Sequence, residues 1–321
     1  MNITVIGCGR WGSLITWYLD HIGHRVTLYG RAASPRMQAF LTTRQNDLLT
    51  LPESVALSTA LDAALESAET VIISIGSQSL RSLLGQSELQ ALRNRTVVLC
   101  MKGLEMGTGA RLSQIAAELL HPSNTVAVWL GPGHVQEFYR GIPNCMVIDS
   151  ENEDAKRRLV QAFSSDLIRF YYGGDMIGNE VGAAAKNVVG IAAGFLDGFE
   201  MSSLKGALMS RGTREVARLI KAMGGSELSA YGLCHLGDYE ATVFSPYSHN
   251  RQFGESFVRG QDYHQLAEGY YTVKALMLLG QRYSVELPIC KAVHDILYEQ
   301  AVPRDVLAGL LRRGLTEEFY D

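Results

Sequence analysis

A lysine and an asparagine, Lys186 and Asn187, stand side by side in an almost uncharged stretch, Glu180 to Gly198 (EVGAAAKNVVGIAAGFLDG). Apolar residues recur there with helical spacing and mark one side of a helix that no proline interrupts. A lysine among small residues is often a surface residue whose side chain reaches water. A lysine partly withdrawn from water in a cleft can instead give a proton to a reacting oxygen. The stretch alone leaves both interpretations open.

Three glycines in the same stretch, Gly182, Gly190 and Gly194, lower its helix propensity relative to alanine. A helix tolerates such glycines where another backbone or a ligand comes very close. The stretch is too short, and too polar at its lysine, to span a membrane. We therefore expect a helix with a close neighbour at its glycine positions.

A second constellation is Gly7-Cys-Gly9-Arg-Trp-Gly12, a GxGxxG pattern. It follows a β-branched strand at 2–6 and opens a helical pattern, after which a second strand is expected at 25–29. This order of strand, glycine turn, helix and strand is the setting in which the motif binds a dinucleotide. Gly7 would make the tight turn, Gly9 would admit a diphosphate and Gly12 would let the helix pack on the strand. The diphosphate would lie at the helix N-terminus.

The end of the second strand, Tyr29-Gly30-Arg31, bears on the choice of dinucleotide. An acidic residue would bond the ribose 2′-hydroxyl of NAD, and none is in reach. Arg31 could pair with the 2′-phosphate of NADP, or it could be a solvated loop residue. We expect NAD(P)H as the cofactor, with a slight preference for NADP.

Continuous apolar runs typical of buried parallel strands follow in the chain. Ligands bind beyond the carboxyl ends of such strands, and Lys102 lies at one of these ends. Without that position, Lys102 would be interpreted as an ordinary surface lysine in a loop. The polar segment 149–156 is expected to be a surface loop entering a helix, with Ser150 as its cap. The predicted strands are 70–75, 96–101, 125–130, 144–148 and 169–172.

From about Asp175 the pattern becomes helical and stays so to the C-terminus. The predicted fold class is α/β: an N-terminal Rossmann-type parallel sheet domain, residues 1–175, followed by an all-α C-terminal substrate domain, residues 176–321. Catalysis is expected in the cleft between them. The predicted helices of the second domain are 179–198, 202–223, 227–233, 252–258, 263–283 and 286–300.

The chain has 321 residues, which suits two domains, and 47% of them are hydrophobic, as in an ordinary globular enzyme. A formal net charge of −4 argues against a nucleic-acid partner held by a basic face. Five scattered cysteines without metal-like spacing indicate reduced thiols in a cytosolic protein. The N-terminus has no signal-peptide pattern, so we expect a cytoplasmic enzyme without a metal or a transmembrane segment.

A polar stretch, 236–251, carries three further candidates. Asp238 could cap a neighbouring helix, or it could face Lys186 and hold the ammonium group in place. Asn250 and Arg251 could hold an anionic or hydroxylated substrate, or could only solvate a loop.

The chain resembles bacterial NAD(P)-dependent glycerol-3-phosphate dehydrogenases over nearly its whole length. The order and spacing of the matching motifs are far more specific than any one of them. They are GCGRWG (7–12), SQSLR (77–81), KGLE (102–105), GP (131–132), GIP (141–143), the stretch 180–198, MSRG (209–212), GD (237–238), SPYSHNRQFG (245–254), EG (268–269) and LPI (287–289).

The resemblance implies reversible hydride transfer between a nicotinamide and the central carbon of dihydroxyacetone phosphate, giving sn-glycerol 3-phosphate for phospholipid synthesis. Lys186 would donate the proton, Asp238 would be its charged partner, and Lys102 would bond the substrate near the reacting oxygen. We also expect a homodimer that acts on a small anionic ketone. The implied substrate ligands are Lys102, Asn187, Thr242, His249, Asn250 and Arg251, and the implied cofactor ligands are Gly7, Gly9, Arg10, Trp11, Gly12, Arg31, Gln78 and Glu268.

Three short segments depart from the family pattern. His249-Asn250-Arg251 stands where the family usually has Arg-Asn-Arg, and a neutral imidazole offers one donor where a guanidinium offers a charged fork. Gly133-His134-Val135 replaces Ser-Phe-Ala, and Ser203-Leu204 replaces an Asn-Thr or Asn-Ala pair. One alternative is therefore the same hydride chemistry on another anionic ketone, a phosphonate or a carboxylate. Another is a non-catalytic NAD(P)-binding sensor, against which the retained Lys186, Asp238 and Lys102 argue.

Overall fold

The computed structural model describes residues 1–312 and residue 318. The chain divides into two compact units. The first comprises Met1–Met101 and Leu112–Met176, and the second comprises Lys102–Arg111 together with the described residues from Ile177 onward. Lys102, which follows a strand of the first unit, thus belongs with the second.

In the first unit one sheet has the strand order β3-β2-β1-β4-β5-β6-β7-β8. Its strands are rich in β-branched residues, and the central runs TVII and TVVL are fully buried, as strands covered on both faces must be. The strands are β1 (Asn2–Ile6), β2 (Arg25–Tyr29), β3 (Ala56–Ser58), β4 (Thr70–Ile73), β5 (Thr96–Leu99), β6 (Thr125–Leu130), β7 (Asn144–Asp149) and β8 (Ile168–Tyr172).

The helices of the first unit lie between these strands in the chain, so the α/β class predicted from the sequence is confirmed. The three-residue edge strand β3 was not predicted, because three residues give too little pattern to recognise. The helices are α1 (Arg10–His21), α2 (Pro35–Thr43), α3 (Leu61–Leu65), α4 (Leu80–Leu84), α5 (Ser87–Gln90), α6 (Leu112–Leu119), α7 (Val135–Tyr139) and α8 (Glu153–Phe163).

The prediction that all strands are parallel is wrong at β7, which runs antiparallel to β6. Val128 pairs with Asp149 and Leu130 with Val147. The connection between the two strands holds only the five-residue α7, and antiparallel neighbours can be joined by short connections of this kind. Burial on both faces gives parallel and antiparallel strands the same continuous apolar pattern, so the sequence did not reveal the direction.

The segment 149–156 is also corrected, because its ends are buried rather than exposed. The cap of α8 is Asn152, whose side chain accepts a hydrogen bond from the Ala155 N–H at 2.9 Å. Ser150, the predicted cap, instead donates its hydroxyl to the Val126 carbonyl at 2.7 Å. Lys156 is buried and donates to Glu153 and to the Gly173 carbonyl at 2.6 and 2.7 Å. The polar residues here join the helix to the sheet.

The second unit is helical, and its described residues include no strand beyond one isolated bridge between Leu104 and Arg111. Short 3₁₀ turns occur at Ser202–Leu204, Glu227–Tyr231 and Leu236–Asp238, and a π-helical turn at Glu240–Phe244. The helices are α9 (Met176–Gly198), α10 (Lys205–Ala222), α11 (His249–Val258), α12 (Glu268–Arg282), α13 (Pro288–Tyr298) and α14 (Pro303–Leu311).

Several predicted boundaries of these helices are wrong. α11 begins at His249 rather than 252, because the Ser248 hydroxyl accepts the Arg251 N–H and caps the helix. α12 begins at Glu268 rather than 263, the segment 227–233 is largely a 3₁₀ turn, and α14 was not predicted.

The helix α9 is buried on every side rather than on one. All residues from Glu180 to Leu196 are buried, Lys186 and Asn187 included. A helix that is apolar all round lies in a core, and here α10, α12 and α13 contribute the surrounding apolar side chains. A Cβ added to Gly194 would lie 2.0 Å from the Arg251 carbonyl oxygen, which explains the predicted close approach. No helix in the described part of the chain is long and apolar enough to cross a membrane.

Candidate active site

Two lysines of the second unit share one carboxylate oxygen. Asp238 Oδ2 lies 2.7 Å from Lys102 Nζ and 2.9 Å from Lys186 Nζ. The three side chains are 1%, 15% and 9% exposed for Asp238, Lys102 and Lys186 respectively. The alternative that Lys186 reaches bulk water is therefore wrong, and Asp238 faces the ammonium group instead of capping a helix.

Burial changes the acidity of Lys186. Loss of water around the ammonium group lowers its pKa to about 8; the Asp238 charge opposes this shift and the Lys102 charge adds to it. Lys186 thus remains mainly protonated at neutral pH but releases its proton more readily than a solvated lysine. This is the behaviour required of a general acid near pH 7.

The second oxygen of Asp238 differs from the first. Oδ1 is buried and has no hydrogen-bond partner among the residues that the structure describes. With two ammonium groups and one carboxylate, the cluster carries one excess positive charge. Such a cluster favours an anion, or an oxygen on which negative charge develops.

A hydroxyl completes the surroundings of Lys186. Nζ donates to Thr242 Oγ1 at 2.8 Å, and Thr242 lies in the π-helical turn Glu240–Phe244. A Cβ on Gly190 would lie 2.8 Å from the Thr242 methyl group. The glycine therefore lets the turn approach α9 closely enough for this hydrogen bond.

A chain of amide hydrogen bonds links four segments beside the lysines. Asn187 Nδ2 donates to the Lys102 carbonyl at 2.8 Å, and Asn250 Nδ2 donates to Asn187 Oδ1 at 3.1 Å. The Gly269 N–H then donates to Asn250 Oδ1 at 2.9 Å. The structure thus brings together the predicted residues Lys102, Asn187 and Asn250 and fixes the orientation of both amides.

His249 and Arg251, on either side of Asn250, have different neighbours. His249 Nδ1 lies 2.6 Å from the Tyr263 hydroxyl. The Arg251 guanidinium donates to Asp197 and Glu255 at 2.8 and 2.9 Å and to the Ser245 carbonyl at 3.1 Å. Arg251 is therefore paired with two carboxylates of its own unit, neither of which belongs to the Asp238 cluster.

The sequence interpretation missed the carboxylate that holds Arg251. Asp197 Oδ2 also accepts from Lys205 Nζ at 2.7 Å, and Lys205 is buried. The one available signal was the position of Asp197 in the last turn of a mostly apolar helix, where a partly buried acid requires a partner.

The glycine loop of the first unit has the geometry expected for a diphosphate site. Gly7 has a φ of +114°, and a Cβ on Gly12 would lie 1.8 Å from the Gly7 carbonyl oxygen. At Gly9, the N-cap of α1, a Cβ would meet only an Arg36 nitrogen, at 3.7 Å, and no described side chain caps the helix. The N-terminus of α1 could therefore hold the diphosphate of a dinucleotide.

Two arginines accompany this loop. Arg31 follows β2 and is exposed, and Arg36, in the first turn of α2, is also exposed. The sequence interpretation missed Arg36, because a helix-start arginine after Pro35 looks like an ordinary surface residue. Arg10 and Trp11 open α1, Gln78 lies in the 3₁₀ turn after β4 with its Nε2 donating to Ser77, and Glu268 is the first residue of α12.

Comparison with known proteins agrees with these features. The model of the NAD-dependent glycerol-3-phosphate dehydrogenase N-terminus matches residues 2–156, and that of the C-terminus matches residues 175–308. A glycerol-3-phosphate dehydrogenase [NAD(P)+] of Thermoanaerobacter sp. (strain X514) is 32% identical, covering 100% of this chain and 99% of the relative. The enzyme of that name from Nitrosomonas europaea is 35% identical, with 98% of each chain covered.

Solved structures show the same relationship. The crystal structure of glycerol-3-phosphate dehydrogenase from Coxiella burnetii has a TM-score of 0.89 and 27% identity, covering 97% of this chain and 99% of its own. A 2-dehydropantoate 2-reductase from Methylococcus capsulatus has a TM-score of 0.62 at 16% identity, covering 98% of this chain and 99% of its own, and shares the fold alone. The sequence resemblance is thus confirmed over both units, and the chain belongs to the NAD-dependent glycerol-3-phosphate dehydrogenase family.

Proposed function

We propose that this chain reversibly reduces dihydroxyacetone phosphate to sn-glycerol 3-phosphate with NAD(P)H, and that Lys186 donates the proton. The observation that carries this proposal is the buried Lys186 ammonium paired with Asp238 at 2.9 Å. Family membership supports the reaction, and the geometry supports the role of the residue.

The proposed chemistry moves one hydride and one proton. NAD(P)H, when bound, supplies the hydride to the carbonyl carbon. As the C=O π bond breaks, its electron pair moves to oxygen, and Lys186 Nζ gives that oxygen a proton. Lys186 is left neutral and regains its proton from water. The excess positive charge of the Lys102–Asp238–Lys186 cluster stabilises the developing alkoxide without having to reorganise.

The roles proposed for the substrate ligands follow from their contacts. Lys102 faces the same carboxylate as Lys186 and would stabilise the substrate near the reacting oxygen. Asn187, Thr242 and Asn250 would hold the hydroxyl and phosphate groups from their fixed positions. His249 would replace a phosphate-binding arginine with a single ring donor. Arg251, already paired with Asp197 and Glu255, would contribute chiefly by supporting the segment that carries His249 and Asn250.

The finer assignments are also proposals. Two exposed arginines, Arg31 and Arg36, support a slight preference for NADP, because a 2′-phosphate pairs well with guanidinium groups. The five cysteines form no disulfide within the described residues, which supports a reducing compartment such as the cytoplasm. We also propose a homodimer, which light scattering after gel filtration would measure.

The test follows the absorbance of NADPH, and then of NADH, with dihydroxyacetone phosphate as substrate. We expect turnover by the wild type and its loss in Lys186→Ala. The matched control is Lys156→Ala, which removes a buried lysine of the first unit that pairs with Glu153 and Asp149. This control should lose stability but keep turnover.

Two other outcomes would identify a rival function, and a third would remove the role proposed for Lys186. Cofactor binding with turnover only of another anionic ketone would mean that the departures around His249 have changed the substrate. Cofactor binding without turnover of any ketone would favour the sensor. Equal loss of turnover in both alanine variants would remove the evidence that Lys186 acts in the chemistry.

A further inference from the structure

A buried histidine and a buried tyrosine flank the turn that carries Asp238. His235 precedes the turn Leu236–Asp238 and Tyr239 follows it, and both side chains are fully buried. The Tyr239 hydroxyl lies 2.8 Å from His235 Nε2, and His235 Nδ1 lies 2.8 Å from the Gly182 carbonyl oxygen. The two hydrogen bonds thus connect Tyr239, through the imidazole, to α9.

The direction of both hydrogen bonds is fixed by chemistry. A carbonyl oxygen can only accept, so Nδ1 carries the proton and donates to Gly182. Burial lowers the pKa of His235 to about 4, so the ring is neutral at pH 7 and Nε2 has a lone pair. The Tyr239 hydroxyl therefore donates to Nε2. Neither partner needs water to complete this arrangement.

The contact on α9 lies one helical turn before Lys186. In an α-helix the Gly182 carbonyl is the acceptor for the Lys186 backbone N–H, four residues later. A Cβ on Gly182 would lie 3.0 Å from His235 Cβ, so the glycine permits the approach. His235 therefore joins the Asp238 turn to the same helical turn that presents Lys186.

We propose that His235 and Tyr239 are positioning residues, whose two hydrogen bonds hold the Asp238 carboxylate at its distance from the Lys186 ammonium group. This inference rests on the proposed function, because it assigns the pair a purpose in proton transfer. Asp238 is held from both ends of a three-residue turn while its Oδ1 has no partner of its own among the described residues. The two lysines hold Oδ2, and the neighbours of the turn hold the backbone from which the carboxylate extends.

The charged and titratable groups around the pair come from several elements. Lys186 on α9 and Lys102 in the 102–111 segment face Asp238, and Lys186 and Asp238 are the charges that act on His235. Tyr239 faces Glu215 and Thr213 of α10 and Cys290 of α13. Of these, Asp238 is the one group that raises the pKa of Lys186. If Asp238 moves away, the pKa of Lys186 must fall.

The first test is Tyr239→Phe, which keeps the ring and removes the hydroxyl. At an effective dielectric constant of about 20, lengthening the Lys186–Asp238 pair by about 1 Å lowers the lysine pKa by about one unit. We expect the alkaline limb of kcat/KM for ketone reduction to move to lower pH by about that amount. A ¹³C NMR titration of the Lys186 ε-carbon, assigned by its absence from Lys186→Ala, should show the same shift.

The matched control is Tyr18→Phe. Tyr18 is also fully buried, and its hydroxyl donates to the Phe163 carbonyl in the first unit. This variant should lose comparable stability while the Lys186 titration stays in place. His235→Asn can keep a donor for the Gly182 carbonyl but loses the acceptor for the Tyr239 hydroxyl. It should reproduce the shift in the pKa of Lys186, and it provides the test if Tyr239→Phe does not fold. In an Asp238→Asn background, Tyr239→Phe should cause no further shift.

Two results would separate the possible failures. If Tyr239→Phe is destabilised like Tyr18→Phe but the Lys186 titration does not move, the pair is purely structural and the inference fails. If the wild type reduces no ketone, the proposed function fails, and the NMR titration still decides whether the pair holds Asp238 against Lys186.

Discussion

Two aspartates of the second unit each join two cations, one buried and one partly buried, through a single oxygen. Asp238 Oδ2 binds Lys102 at 2.7 Å and Lys186 at 2.9 Å. Asp197 Oδ2 binds Lys205 at 2.7 Å and Arg251 at 2.8 Å. By this description alone the two clusters are nearly the same.

They differ in what surrounds the bridging oxygen. Asp197 Oδ1 accepts from the Ser202 hydroxyl at 2.7 Å, and Glu255 pairs with Arg251 at 2.9 Å. Lys205 also donates to the Val243 carbonyl at 3.0 Å. The groups of the Asp197 cluster therefore have several partners each, and Glu255 also pairs with Arg259 at 2.9 Å. The Asp238 cluster instead has a buried carboxylate oxygen without a described partner.

The difference also appears in acidity. Burial raises the pKa of Asp197, but hydrogen bonds from Lys205, Ser202 and Arg251 outweigh it and hold the value below its usual range. In the other cluster burial prevails and lowers the pKa of Lys186 to about 8. A carboxylate with partners on both oxygens helps to hold a fold together. A carboxylate with a buried, unpartnered oxygen, beside a lysine of lowered pKa, is suited to bind or react.

The largest expected effect is on catalysis. Lys186→Met should lower kcat for ketone reduction by about 10²- to 10⁴-fold, the usual worth of a positioned general acid. The same change in the other cluster, Lys205→Met, removes an equally buried ammonium group but should leave kcat within about tenfold while lowering the melting temperature. Steady-state kinetics and thermal unfolding of both variants measure this. Comparable kcat losses would abolish the distinction between the clusters.

The next effect is on the pH dependence of stability. The pKa of Lys186 is about 8 in the folded chain and near 10.5 when unfolded. Between these values the unfolded chain binds more protons, so the free energy of unfolding rises with pH through this window, by about 3 kcal/mol in total. Below pH 8 the full cost of the buried charge is present.

Lys186→Met lacks this contribution. The difference in unfolding free energy, wild type minus Lys186→Met, should therefore increase from pH 8 towards pH 10.5, as measured by denaturant titration. A flat difference for Lys186 would mean that its pKa is not lowered in the folded protein.

Asp197→Asn should have a smaller, purely structural effect. It leaves Lys205 and Arg251 with one carboxylate fewer, which we expect to cost about 2 kcal/mol because an amide oxygen can still accept. Denaturant unfolding measures the cost, and kcat should change less than threefold or so by the same reasoning. A loss of kcat like that of Lys186→Met would place the Asp197 cluster in the chemistry.

The comparison also explains how much could be predicted from the sequence. Lys186 was recognisable because a lysine within an apolar helix is unusual, and the glycine loop because its motif stands between two strands. The partners of Arg251 could not be predicted, since they depend on how α9 and α11 pack through Gly194. Likewise the direction of β7 and the burial of α9 on all sides are decided by tertiary neighbours, which leave the same local pattern.

The smallest effect is expected from Ser202→Ala, which would make the Asp197 cluster resemble the other by removing the partner of Asp197 Oδ1. Asp197 is 14% exposed on its side chain whereas Asp238 is 1% exposed, so water can replace the lost hydroxyl. We expect a loss of about 0.5 to 1 kcal/mol in denaturant unfolding, with kcat unchanged. A loss several times larger would mean that water does not reach Oδ1. An unpartnered carboxylate oxygen would then cost as much free energy at Asp197 as at the more deeply buried Asp238. The difference in exposure between the two aspartates would then not explain the difference between the clusters.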